Sequence, residues 1–268
     1  TCRPAEVVQL AYKKGLAAVA LTDHDTVSAV DEALAAAHSL GDRIRVIPGT
    51  ELSVAYHGQD IHIVGLFIDH HDPVFRKTAD LLVQRRIERN EKMIANLQKA
   101  GIPITMQALT QDNPDTVVTR AHFARFLVEH QIVSDPKDAF RKYLNEDTPY
   151  YVPREYIQPE DGIRLILQAG GVPILAHPLH YKLPESELRK LLTRLKEAGL
   201  IGIEVLYSNH TCQDNYFAQT LATQFHLLPS GGSDFHGTNK PAIEIGNGRG
   251  TLHVPYTFLE NLERQKHR

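Results

Sequence analysis

LAAVALTDHDTVSAVDEALAAAHSLGDRIRVIPGTELSVAYHGQDIHIVGLFIDH, residues 16–70, carries the pattern that decides the fold. Residues 17–22 are a short apolar run that reads as a buried strand, and a helical pattern over about 26–40 stops at Gly41. Two further strands are expected at about 43–48 and 61–68. Upstream, residues 4–15 read as a helix: Pro4 suits a first turn, Val7, Val8, Leu10 and Ala11 form an apolar face, and Gly15 ends it. Helix and strand in alternation predict a parallel sheet with crossover helices.

That rhythm breaks over residues 72–155. A long charged helix is expected at 74–100, with shorter helical pieces at about 105–110, 119–131 and 136–145, closed by Pro149 and Pro153. Alternation then resumes, with helices at 158–169, 184–198 and 213–225 and strands at 172–176, 201–206 and 227–231. The polar end, 263–268, reads as a fraying tail. The expectation is an α/β protein in two parts: a β/α barrel domain from 1–71 and 156–268, and a helical insertion from 72–155. A barrel fits better than an open doubly wound sheet, because chemistry-bearing residues follow nearly every strand rather than gathering at one switch point.

Composition narrows the function. The chain has 268 residues, 42% hydrophobic and 23% charged, with a net charge of −3 and fifteen histidines. That charge argues against extended DNA binding through a broad basic face, while a small anionic substrate stays compatible if bound cations invert the local field. No apolar run is long enough to span a bilayer, and Cys2 and Cys212 in no CxxC spacing fit free thiols of a cytoplasmic protein. There is no G-x-S-x-G, Walker A or G-x-G-x-x-G motif, which removes the usual serine nucleophile and the usual nucleotide-phosphate cradles.

Six polar insertions punctuate the apolar runs: Thr22-Asp23-His24-Asp25, Glu51, His62, His177, Glu204, and Ser233-Asp234-Phe235-His236. Nearly all supply metal ligands of the hard or borderline kind. Glu51, after Pro48-Gly49-Thr50, is expected at a strand end, where it could bridge two cations; a solvated or capping glutamate is the alternative. His62 stands between Ile61 and Ile63, so it is either a core imidazole or a ligand. His177 precedes Pro178, and His236 sits two residues after Asp234, a spacing that puts both on one side of an extended segment. In the 23–25 triplet His24 is the expected ligand. Asp23 or Asp25 would orient an imidazole, carry a proton or cap the helix that begins near Thr26. Glu204 is the weakest of the set, equally readable as an acid behind a ligand or an arginine's partner.

The insertion reads as the substrate half. Arg120 stands at a helix start with Arg125 a turn later, a place that favours anions, and Lys142 and Tyr143 follow. Arg85, Arg86 and Arg89 read instead as a solvated face.

Taken in order, TDHD (22–25), GTELS (49–53), IHIVG (61–65), LAHP (175–178) and GSDFH (232–236) resemble the polymerase and histidinol phosphatase (PHP) family. TRAHFARFL (119–127) and KYL (142–144) are similar to its branch of 3′,5′-nucleotide bisphosphate phosphatases and 5′-to-3′ exoribonucleases. The resemblance implies a distorted seven-stranded barrel with up to three divalent ions, commonly Mn2+, with Fe2+ or Zn2+ as alternatives. It implies that Glu51 bridges two of them, with His62 and His177 on one and Asp234 on the other, while His24 and His236 hold the third. The family's His-x-His strand is not found in these residues, and the expectation is that the sequence given begins after it. The implied reaction removes the 3′-phosphate from a 3′,5′-bisphosphonucleotide (3′,5′-bisphosphoadenosine to AMP) by in-line attack of a metal-bound hydroxide, with Asp23 or His177 handling the proton. Short RNA, another phosphate ester such as histidinol phosphate, and a non-catalytic metal- or RNA-binding module are the alternatives.

Overall fold

The computed structural model describes residues 2–110 and 116–266. Among the described residues six strands form one sheet in sequential order: β1 (Ala18–Leu21), β2 (Arg45–Tyr56), β3 (Gln59–Leu66), β4 (Val172–Leu175), β5 (Gly202–Tyr207) and β6 (Leu228–Gly232). The α/β fold is a curled half-barrel. Its helices are α1 (Pro4–Lys13), α2 (Val30–Ser39), α3 (Pro73–Lys99), α4 (Met106–Thr110), α5 (Arg120–Glu129), α6 (Pro136–Ala139), α7 (Pro159–Gln168), α8 (Glu185–Glu197), α9 (Cys212–Gln224) and α10 (Tyr256–Glu263). The chain divides into two compact units, one of Cys2–Ala79 with Tyr156–Arg268, the other of Asp80–Glu155. Among the described residues no helix is long and apolar enough to cross a membrane.

The sheet corrects the expectation of an all-parallel arrangement. β1–β2, β4–β5 and β5–β6 are parallel, but β3 runs antiparallel to both β2 and β4. The cause is local. His57 and Gly58, at φ 50° and 80°, link Tyr56 to Gln59 in a two-residue turn whose positive φ values match the twist of a tight hairpin. β2 therefore runs on through Glu51 to Tyr56, and Glu51 lies inside the strand rather than at its end.

β2 changes partner midway: residues 45–48 pair with β1, and 49–56 with β3. Gly49 sits at the change, where a Cβ would lie 2.8 Å from the Gly65 carbonyl oxygen and 2.9 Å from Thr22 Cγ2, so only glycine lets the three strands meet. α8 behaves as its leucine spacing predicts. Leu188, Leu191, Leu192 and Leu195 are all buried, each contributing about 1.5–3 kcal/mol at most.

The unit of residues 80–155 has its own core, including Met93, Leu97, Ile104, Leu109, Phe123, Leu127 and Leu144. Here the solvated face expected for Arg86 and Arg89 is overturned, since both are buried. Helical geometry gives the reason: positions 82, 86, 89, 93 and 97 share one stripe, and Leu82, Met93 and Leu97 on it are core residues. Arg89 donates to the Met93 sulfur at 3.0 Å, while Arg85 pairs with Glu155.

Candidate metal centre

The segment leaving β1 runs along β2. The Glu51 N–H donates to the Asp23 carbonyl (3.1 Å), and the Asp25 N–H to the Glu51 carbonyl (3.0 Å), so His24 lies beside Glu51 in a short parallel bridge. Asp25 is fully buried at φ 59°, and its Oδ1 accepts from the Ser53 N–H at 2.8 Å. It therefore ties the loop to β2 and caps no helix; α2 begins only at Val30. Asp23 is exposed.

Glu51 is the focus. Its Oε1 faces His62 Nδ1 at 2.7 Å and His177 Nε2 at 3.0 Å, and those two nitrogens are 3.3 Å apart. Its other oxygen, Oε2, faces His24 Nδ1 at 3.7 Å. Ser53 pairs with His62 in the β2–β3 ladder and Glu51 with Val64, so Glu51 and His62 are diagonal neighbours on one face of the sheet. Four imidazoles form an arc: ring centroids are 5.9 Å apart from His236 to His24, 5.0 Å from His24 to His62, and 5.1 Å from His62 to His177.

Charge organises this arc. Burial would raise the Glu51 carboxyl, but His24 and His62, with hydrogen bonds from His177 and His62, hold it well below the usual carboxylate range. Burial opposes charge on His62 too, yet Glu51 and Asp60 outweigh it and push the imidazole up to about 10. Asp60 lies two residues earlier on the same strand face, its Oδ1 3.4 Å from His62 Nε2. That places one carboxylate on each nitrogen of the ring, the arrangement that orients a ligating histidine.

Asp234 has Oδ1 3.1 Å from His236 Nδ1, while its Oδ2 accepts from the Tyr207 hydroxyl at 2.8 Å and from Lys240 Nζ at 2.6 Å. Against burial, His236 and Lys240 lower its carboxyl. His177 is held at φ 28°, ψ 57°, a conformation a non-glycine residue avoids, and its N–H donates to Glu204 Oε2 at 2.6 Å. Glu204 thus sits behind the His177 backbone, its carboxyl pushed up to about 8 by burial. The Tyr181 hydroxyl accepts from the His62 N–H (2.9 Å) and donates to the Ala176 carbonyl (2.7 Å), joining β3 to the end of β4.

Sequence reading missed Asp60, Tyr181, Tyr207 and Lys240. Asp60 was findable, because its i, i+2 relation to His62 in a strand is a same-face signal. The tyrosines and the lysine carry no such signal, since their partners are remote in sequence.

The donor set fits divalent cations. Among the described residues, ligand atoms of His24, Glu51 and His62 all lie within 4.8 Å of one another. Glu51 Oε1, His62 Nδ1 and His177 Nε2 stand 2.7–3.3 Å apart, near the roughly 3–3.5 Å between ligands whose bonds to one ion are about 2.0–2.2 Å. A carboxylate with one oxygen toward two imidazoles and the other toward a third suits a bridging role.

The remaining expected site residues fall in the unit of residues 80–155. Arg120 is the first residue of α5, behind the Thr119–His122 capping box, with its guanidinium 5.8 Å from the Tyr151 ring centroid. Arg125 hydrogen-bonds the Leu109 carbonyl at 3.3 Å and pairs with Glu129. Lys142 is 2.7 Å from Asp138, and Tyr143 packs on that unit's core with Tyr150. Arg125, Lys142 and Tyr143 therefore all make structural contacts inside their own unit.

Residues 1–158 match the PHP domain family. The chain is 35% identical to a 3′,5′-nucleoside bisphosphate phosphatase from Chromobacterium violaceum, over 91% of this chain and 85% of that protein. It is 37% identical to a 5′-3′ exoribonuclease from Haemophilus influenzae, over 87% of this chain and 84% of that protein. A solved structure from Bifidobacterium adolescentis, provisionally assigned as a metal-dependent phosphoesterase, superposes with a TM-score of 0.85 at 27% identity, covering 99% of this chain and 91% of that one.

Proposed function

The chain belongs to the PHP domain family and is a metal-dependent phosphoesterase, and we propose on that basis that it removes the 3′-phosphate from 3′,5′-bisphosphonucleotides. The observation that carries the proposal is the two-faced Glu51, with His62 and His177 on Oε1 and His24 on Oε2. In this reading Glu51, His62, His177, Asp234, His24 and His236 hold the divalent ions, with Mn2+ as the first choice. Bound there, the ions supply Lewis acidity toward phosphoryl oxygens and activate water. We read the curled sheet as the greater part of a distorted seven-stranded barrel, and residues 72–155 as a helical insertion.

The reaction places a water oxygen on phosphorus and breaks the bond from phosphorus to the ribose 3′-oxygen, which must then take up a proton. Asp23, exposed on the loop after β1, is the residue assigned to deliver it. His177, packed on Glu51 and held by Glu204, serves as a ligand in this reading rather than as the proton donor. Asp60 and Tyr181 fix His62, and Tyr207 fixes Asp234. Arg120, at the start of α5 in the unit of residues 80–155, is the candidate anion contact of that unit.

Phosphate release from 3′,5′-bisphosphoadenosine in Mn2+ tests the reading. Release by the wild type and its loss in His62→Ala support it; no release, or an unaffected His62→Ala, overturns it. The exoribonuclease relative motivates a second reading, in which 5′-monophosphorylated RNA oligomers are cut to mononucleotides. Comparing kcat/KM for the two substrates on the same preparation decides between them.

A further inference from the structure

A second group of metal-ligating side chains lies apart from the Glu51 centre and shares no residue with it. Asp31 stands in the first turn of α2, and His70 and His71 lie in the connection from β3 to α3. His70 Nε2 is 2.9 Å from Asp31 Oδ1, and His71 Nε2 is 3.5 Å from the same oxygen. The two rings are close and tilted, with centroids 4.1 Å apart and planes inclined by 39°. The three ligand atoms are all within 4.8 Å of one another.

Consecutive residues of an extended chain point to opposite sides, so two neighbouring histidines aimed at one oxygen require a built turn. The loop supplies it. Asp69 Oδ1 accepts from the His71 N–H (3.0 Å), and the Asp69 carbonyl from the Asp72 N–H (3.0 Å). Asp72 Oδ1 then accepts from the Phe75 N–H (2.7 Å) and starts α3, while the Asp69 N–H donates to the Ala169 carbonyl (2.7 Å) and anchors the turn. His70 is largely covered, its side chain 13% exposed, whereas His71 and Asp31 are 60% and 68% exposed. One face of the group is therefore fixed by protein and the other is open to water.

Two imidazoles converging with the same nitrogen on one carboxylate oxygen gain little from each other. A single hydrogen bond from His70 already serves that oxygen, and His71 at 3.5 Å adds only a long contact. A cation satisfies all three donors together. Two imidazoles and one carboxylate, with positions left for water, form a borderline donor set that prefers Zn2+, Ni2+, Co2+ or Cu2+ to Mg2+ or Ca2+.

We propose that Asp31, His70 and His71 form a second divalent-metal site of the zinc class, which clips the start of α2 to the β3–α3 connection. It does not depend on the substrate assigned above. The test is calorimetric titration of the full chain with Zn2+ and Ni2+, comparing wild type with His71→Ala and Asp31→Asn, each checked by circular dichroism. Both substitutions are at exposed positions, which keeps the fold intact; His70→Ala is the third variant. The expected result is one binding event fewer in His71→Ala and Asp31→Asn, or that event weakened at least tenfold, with the Zn2+-induced rise in Tm reduced in parallel. Unchanged stoichiometry and affinity in both variants would overturn the proposal. So would a wild type whose every Zn2+ event disappears in a His62→Ala, His177→Ala double variant that remains folded.

Discussion

Glu51 concentrates the residue-scale physics. A carboxylate buried to 7% exposure needs polar partners to offset its lost hydration, and here three imidazoles face it. The groups that hold those imidazoles should matter nearly as much as the ligands. Asp60→Asn is expected to lower Mn2+ affinity or kcat/KM by about 10–100-fold without unfolding the chain, because it releases His62 Nε2. A Mn2+ titration of activity reads the effect, and an unchanged curve would remove Asp60 from the site. Lys240 works the other way. Its ammonium, 2.6 Å from Asp234, competes with any cation for that carboxylate, so Lys240→Met should tighten Mn2+ binding about fivefold, the equivalent of ~1 kcal/mol. Weaker binding in the variant would mean that Lys240 supports the site instead.

Between elements, the decisive device is β2, which takes β1 as its parallel partner and then β3 as an antiparallel one. The sequence showed the strand but not the change of direction, although His57-Gly58 was the available sign. Helices were legible wherever a face was strongly apolar, as in α8. α10 was missed because, within it, only Leu262 is fully buried, and a paired contact from Arg45 to Glu263 helps to dock it. Another docking pair joins α7 to α8: Glu160 accepts from the Arg194 guanidinium, which lowers the Glu160 carboxyl below its ordinary 4.5. A depressed carboxyl stabilises the fold above its unfolded pKa and stops doing so as pH falls through the lower folded value. Glu160→Gln should therefore cost about 0.5–1 kcal/mol at pH 7, and the difference from wild type should close towards pH 3. Urea midpoints at the two pH values measure it; a gap that widens in acid would reject the pairing as the cause.

For the molecule as a whole, the candidate site draws on five separate stretches that the sheet brings together: 22–25, 51–62, 177–181, 204–207 and 234–240. Because folding creates the site, cations that bind it should stabilise the fold. Mn2+ at about 100 times its Kd is expected to add roughly 2.7 kcal/mol to unfolding free energy, and chelation should abolish hydrolysis while leaving helical circular dichroism in place. A Tm indifferent to Mn2+ in the wild type would argue against a preformed centre. The sequence by itself determined the α/β class, most of the alternating elements and the run of helices between β3 and β4, and it nominated the candidate ligands. Each of those is written in local periodicity or in motif order. The reversal of β3 had a local sign in His57-Gly58. The tertiary structure alone decided that Asp25 ties a loop rather than capping a helix, and that Glu51 turns its two oxygens to different histidines. Those outcomes depend on partners remote in sequence, which no local pattern encodes.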